Sequence, residues 1–132
     1  MKKILIFLTI FFSTIAVVNA DEMKRIVVGN KDAKITIIAF ESLTCSHCAN
    51  FHKDIYPQLK KDFIDTGLAK IEFRHFPLDM AALNASKVSQ CKESQSLEIL
   101  ESLYSNQQAW IKGKSIEEVN SNLKKFIEKE GF

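Results

Sequence analysis

The 132-residue chain has little of what interrupts regular structure, with four glycines and two prolines. A collagen-like or low-complexity sequence is thereby excluded. It also lacks a charge imbalance. There are 18 Lys and Arg against 16 Asp and Glu, and two of those lysines, Lys2 and Lys3, sit at the extreme N-terminus. Beyond them acidic and basic residues balance, so the sequence offers neither the basic face of a nucleic-acid binder nor an acidic tail. Long apolar runs are missing after residue 20, where no segment approaches the roughly 20 residues that cross a bilayer. Cysteine is scarce: Cys45, Cys48 and Cys91 are the three. What is present is ordinary for a globular chain, 46% hydrophobic and 26% charged, in a length that holds one small domain.

The first 20 residues read as a leader rather than as part of the fold. Two lysines follow Met1, Ile4 to Val18 is uncharged and mostly apolar, and Val18-Asn19-Ala20 ends on a small residue. Those are the three parts of a secretory signal peptide, of bacterial type, with cleavage expected near Ala20–Asp21. The remaining chain, residues 21–132, is then expected in the periplasm, where disulfides form and persist. An odd number of cysteines leaves at least one thiol over.

Ile26-Val27-Val28 is a short apolar piece suited to an edge strand. Lys34 to Phe40 (KITIIAF) is β-branched and aromatic with almost no polar position, the pattern of a strand buried on both faces. Cys48, Phe51, Ile55, Leu59 and Phe63 then recur at helical spacing. Pro57 lies within that helix and predicts a kink near Lys53, whose carbonyl it leaves without a donor. Ala69 to Phe76 (AKIEFRHF) alternates, with Ile71, Phe73 and His75 on one face. Strand, helix and strand in about 45 residues predict a βαβ unit with a parallel sheet. From Pro77 onward the pattern is helical. Ser115-Ile-Glu-Glu118 is a capping box; Ile116, Val119, Leu123, Phe126 and Ile127 form an apolar stripe; Gly131 is the stop.

Cys45-Ser46-His47-Cys48 falls between the apolar strand and the helix. The first N–H groups of a helix have no partner within it, so a thiolate at Cys45 would accept from them and meet the positive end of the helix dipole. Cys48, three residues on, can close a disulfide with it. Cys45 is then the nucleophile and Cys48 the resolving thiol. The dipole supplies about 0.3–1 kcal/mol, whereas each unit of pKa requires about 1.4 kcal/mol. Further donors must contribute, and the imidazole of His47 is the expected one. Stabilising the reduced form makes the disulfide the stronger oxidant.

The stretch Gly29 to Phe40, the Cys45-Ser-His-Cys48 motif and Phe73-Arg-His-Phe-Pro-Leu-Asp79 together resemble the DsbA-like thiol:disulfide oxidoreductases of the thioredoxin superfamily. Asn84 to Trp110 is similar to the helical insertion of that family. The resemblance covers roughly residues 28–112. It implies an α/β fold, a thioredoxin-like βαβ unit (24–77) followed by a helical insertion (78–132). It implies a periplasmic oxidase that passes the Cys45–Cys48 disulfide to exported proteins with free thiols, is reoxidised by a membrane partner, and needs no cofactor.

The sequence departs from that family in two respects. Relatives return to the sheet through a cis-proline loop, two strands and a helix; this chain has only Pro57 and Pro77 and is expected to be truncated, with the C-terminal half of the thioredoxin fold missing. Many relatives carry a buried acid six residues before the first cysteine, where this chain has Ala39; Glu41 is near but not at that position. Two alternatives follow. One is a non-catalytic remnant. The other is a periplasmic metal-binding module built on Cys45, Cys48 and His52, completed by His47 or Cys91. Cys91 otherwise reads as a small buried residue, His52 and His75 as ordinary helix and strand residues, Tyr104, Trp110 and Phe126 as core, and Lys124-Lys125 as a solvated face.

Overall fold

The computed structural model describes residues 25–132; the expected signal peptide lies outside the described residues. Strands β1 (Ile26–Gly29), β2 (Ile35–Glu41) and β3 (Ala69–His75) form one sheet in the order β1-β3-β2. β3 is central because it is the strand with a full apolar face: Ala69, Ile71 and Phe73 are buried on one side. It pairs antiparallel with β1, Ile26 opposite Phe73, and parallel with β2, Ala39 opposite Phe73. The expected βαβ unit and edge strand are both present.

The β2 expectation was wrong in one respect. Its outer face is open: Phe40 is 62% exposed and Ile38 44%. A continuous apolar run is equally compatible with two covered faces and with one apolar face turned to solvent. Among the described residues no strand pairs with its free edge.

Helix α1 runs unbroken over 46–64 and contains two π-helical turns, Phe51–Ile55 and Lys60–Ile64. The first lies just before Pro57 and includes Lys53, where the kink was expected. Proline cannot donate back to Lys53, and the N–H of Tyr56 reaches instead to the carbonyl of Phe51. Each π turn advances the helix face by about one residue, so the expected stripe loses phase. Tyr56 and Ile64 are buried, while Ile55 and Phe63 are exposed. At the other end of the crossover, Gly29 sits at φ +111 against α1. A Cβ there would lie 2.8 Å from Ile64 Cγ2 and 3.0 Å from the Ala69 carbonyl oxygen.

Four helices follow: α2 (Met80–Gln90), α3 (Ser96–Ser105), α4 (Gln107–Trp110) and α5 (Ile116–Glu130). Asp79 caps α2, its Oδ1 accepting from the N–H of Ala82 at 2.7 Å. Ser115 caps α5 by accepting from the Glu118 N–H, but Glu118 Oε2 takes the N–H of Lys114, not of Ser115. The capping box therefore closes one residue early. Val119, Leu123 and Phe126 are buried as the stripe predicted, and Gly131 ends α5 at φ +83. Trp110 has no solvent exposure, and its indole N–H donates to the Leu103 carbonyl at 2.9 Å. Tyr104 and Phe126 are core residues as well, and Lys124 and Lys125 are solvated.

Candidate redox site

The loop 42–45 leaves the end of β2 and delivers Cys45 to the N-cap of α1, at φ −79 and ψ 119. A parallel strand leading into a crossover helix must turn here, and the turn closes with the Cys45 N–H donating to the Ser42 carbonyl at 3.0 Å. Cys45 and Cys48 are free thiols, both partly exposed. The two differ electrostatically. The backbone N–H of Cys48, then its thiol, and next the backbone N–H of His47 favour the Cys45 thiolate and hold its pKa below that of an ordinary thiol. Burial pushes Cys48 the other way, upward, and the neighbouring Cys45 and the charge of Glu41 add to it. His47 acts on Cys45 through its backbone, and its side chain is exposed.

Beneath the pair lies a buried histidine–carboxyl hydrogen bond that the sequence did not reveal. His52 Nε2 meets Glu41 Oε2 at 2.9 Å, with the two side chains 5% and 6% exposed. His52 is therefore no ordinary surface helix residue. Its ring stacks on Tyr104 at 4.2 Å and lies 5.0 Å from Phe73 and 5.5 Å from Tyr56. Nδ1 of His52 and the hydroxyls of Tyr56 and Tyr104 are buried, with no hydrogen-bond partner among the described residues. Burial pushes the Tyr56 phenol up to about 12 and that of Tyr104 higher still. Strand alternation explains the carboxylate: residues 39 and 41 point to the same face, so an acid at 41 enters the same side of the sheet as one at 39 would. The i,i+11 pairing of strand and helix left no periodic trace in the sequence.

His52 presents its Nε2 to Glu41, and among the described residues no three His, Cys, Asp or Glu side chains converge to hold an ion. Cys91 is also misread by the sequence: it is exposed at the end of α2, its thiol donating to the Lys87 carbonyl at 3.3 Å.

A family model described as "Thioredoxin" matches residues 21–131. The chain belongs to the thioredoxin family. Within that family it is DsbA-like. A "Putative protein-disulfide oxidoreductase" of Rickettsia bellii is 42% identical over 66 residues, covering 50% of this chain and 26% of that protein. "Disulfide bond formation protein D" of Bacillus subtilis is 43% identical over 47 residues, 36% of this chain and 21% of that protein. The crystal structure of alpha-DsbA1 from Wolbachia pipientis superposes with a TM-score of 0.62 at 27% identity, covering 80% of this chain and 63% of that one. This thioredoxin-family chain thus spans about a quarter of the length of the curated relatives it matches. The mixed α/β architecture, a small sheet with a helical part after β3, is that of its DsbA neighbours.

Proposed function

We propose that the protein is an exported thiol:disulfide oxidoreductase that passes a Cys45–Cys48 disulfide to exported proteins with free thiols. The observation that carries this reading is the asymmetry of the pair. Cys45 is held as the better thiolate by the amides at the start of α1, and Cys48 is the poorer one. The thioredoxin-family membership and the names of the DsbA-like relatives support it, and the leader at 1–20 supports export of residues 21–132.

A substrate thiolate attacks Cys45 Sγ, forming the mixed disulfide and breaking the bond to Cys48. Cys48 leaves and takes a proton, consistent with its raised pKa. The charge of Glu41, itself held against His52 at 2.9 Å, contributes to that rise. A second substrate thiolate then forms the substrate disulfide and expels Cys45, whose stabilised thiolate is the better leaving group. The substrate dithiol is oxidised and the Cys45–Cys48 pair is reduced by the same two electrons. A membrane partner, as in the DsbA-like family, would restore the disulfide. His47 is retained as a stabiliser of Cys45 through its backbone N–H.

Alkylation of Cys45 followed against pH tests the reading. The midpoint is expected below the value of about 8.5 for a free thiol; a midpoint at or above it sinks the oxidase assignment. A non-catalytic reading is favoured by one observation: among the described residues no strand covers the free edge of β2, where Ile35, Ile38 and Phe40 are exposed. Stoichiometric oxidation of a reduced dithiol peptide by the purified, oxidised chain would eliminate that alternative.

A further inference from the structure

The loop bearing Cys45 is held from the helical part of the molecule at two places. Asp79 Oδ2 accepts from Thr44 Oγ1 at 2.7 Å. Gln107 reaches across from the start of α4, its Nε2 donating to the Leu43 carbonyl at 2.9 Å and to the Cys45 carbonyl at 3.1 Å. Gln107 is 4% exposed, and Leu43 is wholly buried. A carboxamide nitrogen has two hydrogens, and both are spent here on the backbone on either side of Thr44. The Cys45 carbonyl also accepts the N–H of Ala49 at 3.1 Å, so it is engaged by the first turn of α1 and by Gln107 together.

We propose that Gln107 is a positioning residue for the redox reaction, fixing the peptide plane of Cys45 so that the amides opening α1 face its sulfur. The inference rests on the oxidoreductase reading above and deepens it. Rotation of that plane alters ψ of Cys45, and with it the direction of every N–H in the first turn relative to Sγ. Those N–H groups, of Cys48 and His47, are the ones that favour the thiolate. Nearby donors offer no substitute. Thr44 is already committed to Asp79, and the neighbouring Gln108 is exposed. Loss of the amide would also leave the buried Leu43 carbonyl without this donor and the Cys45 carbonyl with the Ala49 N–H alone, which favours movement of the loop over retention of the present geometry.

The test uses the full chain carrying Cys91→Ser, so that Cys45 and Cys48 are the only thiols. Alkylation of Cys45 is followed by mass spectrometry across pH in the parent, in Gln107→Leu, in Gln107→Asn and in Gln108→Leu. Gln107→Leu keeps the bulk without the donors; Gln107→Asn keeps the amide but draws it back by one methylene. Both Gln107 variants are expected to raise the Cys45 midpoint by about one unit, a tenfold loss of thiolate at fixed pH below the midpoint. Exchange of the amide hydrogens of His47 and Cys48 is expected to quicken in both, and Gln108→Leu is expected to match the parent. A Gln107 variant with a cooperative unfolding transition and the parent midpoint overturns the inference. So does loss of folding in both, which would assign Gln107 to domain stability alone. An ordinary thiol midpoint in the parent itself would instead defeat the oxidoreductase reading, a separate result.

Discussion

Replacing His52 by leucine removes the hydrogen-bond partner of a Glu41 carboxyl group that is 6% exposed. Breaking a buried ion pair from one side costs about 3–5 kcal/mol, because the remaining charge has no compensation. The reverse change, Glu41→Leu, leaves the buried Nε2 of His52 without its partner, and its cost is that of an unmet hydrogen bond, about 1–3 kcal/mol. A domain of this size has about 5–15 kcal/mol of total stability, so either variant loses a substantial part of it. The double variant places two leucines among aromatic rings and strands nothing. It is expected to be less destabilised than His52→Leu alone, giving a coupling in a double-mutant cycle larger than the cost of Glu41→Leu by itself, that is, at least about 1–3 kcal/mol. Urea unfolding of the four proteins, with the slopes compared, is the measurement. The reasoning is refuted if the two single costs simply add, or if Glu41→Leu costs more than His52→Leu. The cycle carries a second signature. Removing the Glu41 charge takes away a contribution that raises both cysteines, so the Cys45 and Cys48 alkylation midpoints should both fall in Glu41→Leu.

Other outcomes follow from single sites. His75 is held neutral by burial, its pKa below the ordinary value. The unfolded chain then binds more protons as pH falls below about 6.5, so stability should drop on acidification through that range, and His75→Gln should flatten the slope seen in thermal unfolding. Trp110→Ala empties a fully buried site and should cost about 3–5 kcal/mol in chemical denaturation. Ser115→Ala removes the acceptor for the Glu118 N–H and should cost about 1 kcal/mol; an unchanged denaturation midpoint would show that the Lys114–Glu118 contact suffices.

Features written in adjacent positions were legible from the sequence. β3 announced itself by alternation, α5 by its stripe and its two caps, and the Cys45–Cys48 pair by a motif at a strand-to-helix junction. Features that depend on what packs opposite were not. The apolar run of β2 could not say whether its outer face is covered. The π turns of α1 shifted burial from Ile55 to Tyr56, which no integral helical period anticipates. Glu41 and His52 meet across a strand–helix contact, and Gln107 joins a loop 62 residues earlier. Nothing in the local pattern of a glutamine marks it as the donor to two carbonyls that distant.

Trp110 is the one tryptophan of the chain, and it closes the short helix that Gln107 opens. Fluorescence excited selectively in the indole band therefore comes from a single side chain, sealed from water and three residues from the group that grips the Cys45 carbonyl. Emission of the oxidised and reduced forms reads the state of that helix without any label. A shift to longer wavelength on changing redox state would report water reaching the indole as the grip loosens, and an unchanged spectrum would mark the helical part as a rigid frame around the sulfur chemistry.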